Sequence, residues 1–321
     1  MDLEMLQTRA AIIRQARSFF DERKYLELDT PLLSEDLIPE SCLEVFRTER
    51  ILPRGGKKEG RPMYLIPSPE IWMKKIIAQH RVNVYQICKC FRNGESSGHL
   101  HNREFTMLEY YTMDADYMDS LALTEKLFAY LAKEAQVPSL NPPFERVTVA
   151  KAFERWSGFD LFEAAGKKGA MEEHARGLGL DPPPGMSTGE LYDLIFIHAV
   201  EPNLKAEKPV VLLDYPAFVP CLAEQSPDGI TVRRWELYYN GIELANCFSE
   251  ETNPQKVKEF FINEEKARES AFLVRHKVDH DYWKMFKNFS RCSGVAMGLD
   301  RLIMALTGRS NIDAVLPFPD I

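Results

Sequence analysis

Val82-Asn83-Val84-Tyr85-Gln86-Ile87-Cys88-Lys89-Cys90-Phe91-Arg92 is an arm rich in β-branched and aromatic residues, and Phe105-Thr106-Met107-Leu108-Glu109-Tyr110-Tyr111 is a second arm of the same character. Between them, residues 93–104 are rich in Gly, Ser and Asn, the composition of a long hairpin loop. Side chains of a strand alternate between two faces, so Phe105, Met107, Glu109 and Tyr111 share one face, with Leu108 and Tyr110 on the other. This sets a carboxylate inside an apolar row. A buried unpaired charge is costly, and no Lys or Arg lies on the second arm to balance Glu109. Two partners would serve: the ammonium group of a ligand, or an internal salt bridge to a distant Lys or Arg.

The order of residue types is more specific than any one of them. Phe91-Arg92 with Glu95, then His101-Asn102-Arg103-Glu104-Phe105 running on to Tyr111, resembles motif 2 of class II aminoacyl-tRNA synthetases in its lysine-subgroup form. The resemblance implies Arg92 on the α-phosphate and carboxylate, His101 and Asn102 beside ATP, Phe105 stacked on adenine, and Glu109 and Tyr111 toward a lysine side chain. Where the family reads Arg-X-Glu, this chain reads Arg92-Asn93-Gly94-Glu95, one residue longer, and Glu95 takes the ATP-contacting role.

Working outward, Leu3, Leu6, Ala10, Ile13 and Phe20 recur at helical spacing, which predicts an amphipathic helix over the first twenty-odd residues. Tyr25 to Leu33 reads as a strand ending in a proline, Pro31, and resembles motif 1, the class II dimer-interface segment, so a homodimer is expected. Tyr64 to Lys75 reads as a strand, a turn and a helix starting near Pro69. There the family implies that Ser68 and Glu70 hold the substrate amino group, with Ser68 in place of a usual Ala. Residues 147–209 are helical and mixed in charge, broken by Asp181-Pro182-Pro183-Pro184-Gly185, and read as a small helical insertion; Val210 to Pro216 then restores a buried strand.

Trp235 to Leu244 contains Asn240-Gly241, the strongest short hairpin signal in the chain. Its acidic groups suit either a solvated edge or Mg²⁺, which takes oxygen ligands and bridges phosphates. The run to Glu250 resembles the lysine-subgroup segment in which Glu243 contacts metal and ATP, Asn246 the substrate carboxylate and Glu250 the ε-ammonium; Cys247 replaces a usual Gly. Ser293 to Leu306 resembles motif 3, with Gly298 and Arg301 on ATP, Arg301 clamping its γ-phosphate, and Ala296 at a position that is Gly in lysyl-tRNA synthetases.

The chain has 321 residues, 45% hydrophobic and 27% charged, with a net charge of −8, enough for one large domain. That balance argues against a polyanionic partner such as tRNA, since phosphate neutralisation needs clustered Lys and Arg; residues 50–61 are one candidate basic face or a solvated hairpin tip. Six cysteines lack C-x-x-C spacing, and no apolar run reaches spanning length. A cytoplasmic protein with no membrane association is expected.

The three motifs together identify residues 1–321 as an α+β class II catalytic domain, an antiparallel sheet flanked by helices, with the insertion at about 147–209 and no anticodon-binding domain. Arg92 and Arg301 are the expected catalytic residues, and ATP and Mg²⁺ the expected cofactors. Ser68, Ala296, the missing anticodon module and Val200 to Pro209 resemble the branch of lysyl-tRNA synthetase paralogues that activate lysine or (R)-β-lysine and transfer it to translation elongation factor P. A truncated lysyl-tRNA synthetase and a non-enzymatic lysine sensor are the alternatives; an intact set of Arg92, Glu109, Glu243, Glu250 and Arg301 counts against the sensor.

Overall fold

A computed structural model describes residues 2–54, 57–94 and 98–319, and their contacts divide the chain into two compact units, residues 1–115 with 251–321 and residues 116–250. In the first unit the chain runs through α1 (Leu3–Asp21), β1 (Leu26–Glu27), β2 (Leu33–Ser34), β3 (Arg47–Arg54), β4 (Lys57–Leu65), α2 (Glu70–His80), β5 (Val84–Phe91) and β6 (Glu104–Met113). The second unit holds α3 (Tyr117–Ala135), β7 (Glu145–Thr148), α4 (Val149–Ser157), α5 (Leu161–Ala165), α6 (Ala170–Gly177), α7 (Thr188–Ile195), β8 (Val210–Pro216), β9 (Thr231–Tyr239) and β10 (Ile242–Ser249). The chain then returns to the first unit as α8 (Pro254–Ala271), β11 (Cys292–Gly298) and α9 (Leu299–Thr307).

The first unit's strands lie in the order β1-β5-β6-β11, antiparallel except for β1 against β5, with a small sheet β2-β4-β3 beside them. In the second unit the order is β10-β9-β8-β7, antiparallel except where β7 meets β8. The class is α+β, mostly antiparallel strands flanked by helices. No described helix is long and apolar enough to cross a membrane.

Three sequence expectations change in detail. The motif 1 segment is not one strand: Leu26 pairs with Val84 and Leu33 with Leu65, and the break falls at Pro31, which has no N–H to continue a ladder. The buried stripe of α1 is Met5, Arg9, Ile12, Ala16, Phe19 and Phe20, leaving Leu3 68% exposed. Arg9 sits on that stripe because it has a buried partner. Its guanidinium pairs with Asp300 at 2.6 Å and donates to Thr106 Oγ1 at 2.8 Å. Asp300 in turn accepts the Thr106 N–H at 2.7 Å, which ties the start of α9 to β6. Finally, the stretch read as a helical insertion, about 147–209, holds the separate helices α4 to α7 and short helical turns ending at Asn203, and these pack with β8 and β9: Phe153, Leu161, Tyr192, Ile195 and Val200 share a core with Leu212, Tyr215 and Tyr238.

Removing one partner of a buried ion pair strands the other, at a cost of about 3–5 kcal/mol. Asp300→Ala is therefore expected to lower the stability of the first unit by that amount in denaturant unfolding. A shift below about 1 kcal/mol would show that the Arg9–Asp300 pair does not hold α9 in place.

Candidate active site

The β5–β6 hairpin places Glu109 by simple alternation. The strand register sets Gln86 of β5 and Ala296 of β11 directly opposite Glu109, so the three form a row across one face, with Phe105, Met107 and Tyr111 of β6 on the same face. Glu109 is 2% exposed. Its Oε2 accepts the Ser68 hydroxyl at 2.7 Å and its Oε1 the Tyr111 hydroxyl at 2.8 Å. Ser68 Oγ also accepts the Glu70 N–H at 3.0 Å, so the turn before α2 is fixed to the carboxylate through one hydroxyl.

No ion pair to Glu109 occurs among the described residues, and the Ser68 and Tyr111 hydroxyls satisfy the carboxyl instead. The nearest cationic influence is Lys74 of α2, fully buried, whose Nζ lies 2.5 Å from Glu70 Oε1. Burial above all, then the charge of Glu70, pushes the Glu109 carboxyl up to about 8, while the Ser68 and Tyr111 hydrogen bonds and Lys74 pull it back. Glu40 is likewise raised to about 7, by burial and then Glu70, against Arg92 and Arg268. Gln86 donates from Nε2 to Thr30 Oγ1 at 2.9 Å, and its buried Oε1 has no hydrogen-bond partner. Carboxyls held partly neutral by burial are suited to meet an ammonium group, which would restore their charge.

Arg92 leaves the end of β5, its backbone N–H donating to Arg103 O at 3.0 Å and closing the hairpin. Its guanidinium lies 5.2 Å from the Phe105 ring centroid, and Nε is buried without a hydrogen-bond partner. Asn102 donates from Nδ2 to Glu104 O at 2.6 Å, and His101 bridges Gly98 across the turn. Glu95 lies outside the described residues. Arg301 is in the first turn of α9 and donates from Nε to Leu100 O at 3.3 Å, linking the helix start to the motif 2 loop. Gly298 is the N-cap; a Cβ there would meet Arg301 Cδ at 3.6 Å, an ordinary contact, so sterics alone do not demand glycine.

In the second unit, Asn240 and Gly241 both have positive φ, 50° and 77°, the mirror-image turn that matches the twist of β9 and β10. Glu243 and Asn246 are three residues apart and would face opposite sides of a regular strand. A bulge between Glu243 and Ala245 corrects this: Glu243 pairs with Tyr238 and Asn246 with Glu236, so both stand on one face with Phe248. Cys247 is fully buried on the other face. Glu250 is 4% exposed and bridges Ala223 beyond the strand end.

The sequence reading missed Glu236, opposite Asn246. Its Oε2 accepts both the Tyr215 and Tyr238 hydroxyls at 2.6 Å, and its Oε1 pairs with Arg234. Arg234 lies 4.5 Å from the Tyr215 ring centroid. The Arg-x-Glu alternation of β9 was visible, but its importance depends on pairing with β10. Among the described residues no three His, Cys, Asp or Glu side chains gather as a ready metal site. Mg²⁺ at a nucleotide needs only one or two carboxylates beside the phosphates, a requirement Glu243 fits.

A family model described as tRNA synthetases class II (D, K and N) matches residues 2–321. The chain is 35% identical to an elongation factor P--(R)-beta-lysine ligase of Vibrio atlanticus, over 99% of this chain and 96% of the relative. It is 34% identical to the ligase of that name from Avibacterium paragallinarum, over 98% and 95%, and 35% identical to that of Vibrio cholerae, over 99% and 95%.

Proposed function

The chain belongs to the class II tRNA synthetase family (D, K and N), and from that premise we propose that it is an ATP-dependent ligase that activates (R)-β-lysine or lysine as an adenylate and transfers it to a lysine side chain of translation elongation factor P. The observation that carries the amino-acid assignment is Glu109, buried, hydrogen-bonded by two hydroxyls and without an ion pair among the described residues. Such a carboxyl gains most from a ligand cation. The names of relatives that align over nearly their full length carry the acceptor.

In the first step an amino-acid carboxylate oxygen forms a bond to the ATP α-phosphorus, the bond to the β-phosphate oxygen breaks, and pyrophosphate leaves. In the second, the acceptor amine attacks the activated carbonyl and AMP leaves. No protein nucleophile is needed, so the work is positioning and charge neutralisation. Arg92 fits the α-phosphate: its Nε is buried and has no hydrogen-bond partner, a donor left to be satisfied. Phe105 offers a ring for adenine, Asn102, His101, Glu95 and Gly298 are assigned to ATP from the motif resemblance, and Arg301 at the start of α9 takes the γ-phosphate, where the helix N-terminus also favours an anion. Glu243 would hold Mg²⁺, which supplies positive charge to the phosphates. Ser68 and Glu70 are assigned to the substrate amino group, Glu109, Tyr111 and Glu250 to the side-chain ammonium, and Asn246 to the carboxylate.

Ala296 stands directly opposite Glu109 in the strand register, which makes its methyl group a natural discriminator between α- and β-amino acids. One methyl in a packed site is worth about 1–3 kcal/mol of discrimination. Ala296→Gly is expected to move the ratio of kcat/KM for (R)-β-lysine over lysine toward lysine by about tenfold or more. An unchanged ratio would make the residue a packing variant.

The protein works as a homodimer in the cytoplasm in this reading. Leu26, Leu32 and Leu33 of the motif 1 segment are 53%, 37% and 41% exposed, an apolar edge suited to cover by a second copy. Leu33→Glu is expected to convert the dimer to monomer in sedimentation; an unchanged mass would move the interface elsewhere. The reading as a whole is tested first by amino-acid-dependent exchange of pyrophosphate into ATP, present with lysine or (R)-β-lysine and absent with aspartate or asparagine.

A further inference from the structure

Cys88 and Cys90 are two residues apart on β5, so both leave the same face of the strand, and their sulfurs lie 3.9 Å apart. Adenylate chemistry uses neither. Cys88 and Cys90 are not joined in a disulfide; Cys90 is fully buried and Cys88 partly exposed, which leaves one side of the pair open to solvent. A disulfide would require the sulfurs to close to about 2.05 Å. Their present separation instead matches the edge of a tetrahedron built on metal–sulfur bonds of about 2.3 Å, which is about 3.8 Å. Met107 is directly opposite Cys88 on β6, so a thioether stands on the same face within a cross-strand neighbour's reach. Thiolate and thioether together select soft cations over Mg²⁺.

We propose that Cys88, Cys90 and Met107 form a binding site for one thiophilic cation of the zinc, cadmium or cuprous class. On binding, two S–H bonds break, three metal–sulfur bonds form, two to thiolates and one to the Met107 thioether in place of water on the cation, and two protons pass to solvent, with no change of oxidation state. Each thiolate ligand must lose its proton to bind, so occupancy rises with pH. The site lies on the sheet face that carries Phe105 and Glu109. A cation there would crowd both, so one equivalent inhibits adenylation. The inhibition rests on the functional reading above; the binding does not.

The test uses the full chain, reduced and metal-free, in a Cys42→Ser background because Cys42 is exposed and would bind metal by itself. Cd²⁺ is titrated while thiolate-to-cadmium charge-transfer absorbance and proton release are recorded. Saturation is expected at one equivalent with two protons released. Cys88→Ser and Cys90→Ser should each weaken binding more than the roughly 10–100-fold that an outer-shell partner is worth, and Met107→Leu should weaken it less. Cys88→Ser changes a partly exposed position, so the result does not depend on whether the Cys90 variant folds. Retention of the signal in Cys88→Ser, or no saturation at one equivalent, overturns the site. Binding without loss of pyrophosphate exchange upholds the site and overturns its link to adenylation.

Discussion

Arg301→Ala is expected to lower lysine-dependent pyrophosphate exchange by about 10³-fold. Arg301 is assigned to the γ-phosphate of the leaving pyrophosphate, and a single preorganised donor on developing charge is worth about 10²–10³ in rate. Arg301 stands in the first turn of α9, and α9 is itself fixed to β6 through Asp300, so its position is set by the fold. Arg301→Lys keeps the charge and loses the planar fork, so an intermediate rate is expected. Fold loss is not the cause if the unfolding midpoint stays within a few degrees while exchange collapses. Exchange near the parental rate would remove Arg301 from the site.

Glu109→Gln is expected to raise the amino-acid KM by about 10–150-fold and leave the ATP KM largely unchanged. That range is the worth of a buried charge-assisted contact, about 1.5–3 kcal/mol. Two pH signatures accompany it. The parental carboxyl, pushed up to about 8, is mostly protonated at neutral pH and must ionise to pair with an ammonium. Its kcat/KM for the amino acid therefore rises as pH increases through about 8, and the glutamine variant lacks that rise. Stability moves oppositely. A folded-state value above the ordinary 4.5 means that ionisation is easier in the unfolded chain, so Glu109 costs increasing stability as pH rises from about 4.5 through about 8. Glu109→Gln should thus become progressively more stable than the parent across that window. A stability loss together with an unchanged KM would make Glu109 a structural residue.

Much of this site could be read from local pattern. Alternation along residues 105–111 placed Glu109 with Phe105, Met107 and Tyr111, and the register of β5 and β6 agrees. Asn240-Gly241 specified its turn because few other residues accept positive φ twice in succession. What pattern could not supply were pairings between distant segments. Ser68 meets Glu109 across 41 residues, and Arg9 meets Asp300 from the other end of the chain, so both carboxylates look unpartnered in sequence. The β10 bulge was equally hidden: strict alternation would separate Glu243 from Asn246, and one extra residue unites them. Tyr238 is two residues from Glu236 on the same strand, but Tyr215, its other hydroxyl partner, comes from β8 and only the assembled β8–β9 register brings it near, so Glu236 and Arg234 were passed over. At Pro31 the strand reading ended at a residue that cannot continue a ladder, but the pairing of Leu33 with Leu65 in a second sheet joins distant segments and was hidden.

The acceptor separates a ligase acting on protein from a truncated tRNA synthetase. With a net charge of −8, the chain has little to offer a polyanion beyond local contacts. The most direct measurement incubates the protein with ATP, Mg²⁺ and (R)-β-lysine or lysine, together with elongation factor P in one reaction and lysine tRNA in another. Addition of one lysyl mass to elongation factor P, with the tRNA left essentially uncharged, is the expected result. Efficient charging of the tRNA with no mass added to elongation factor P would contradict it.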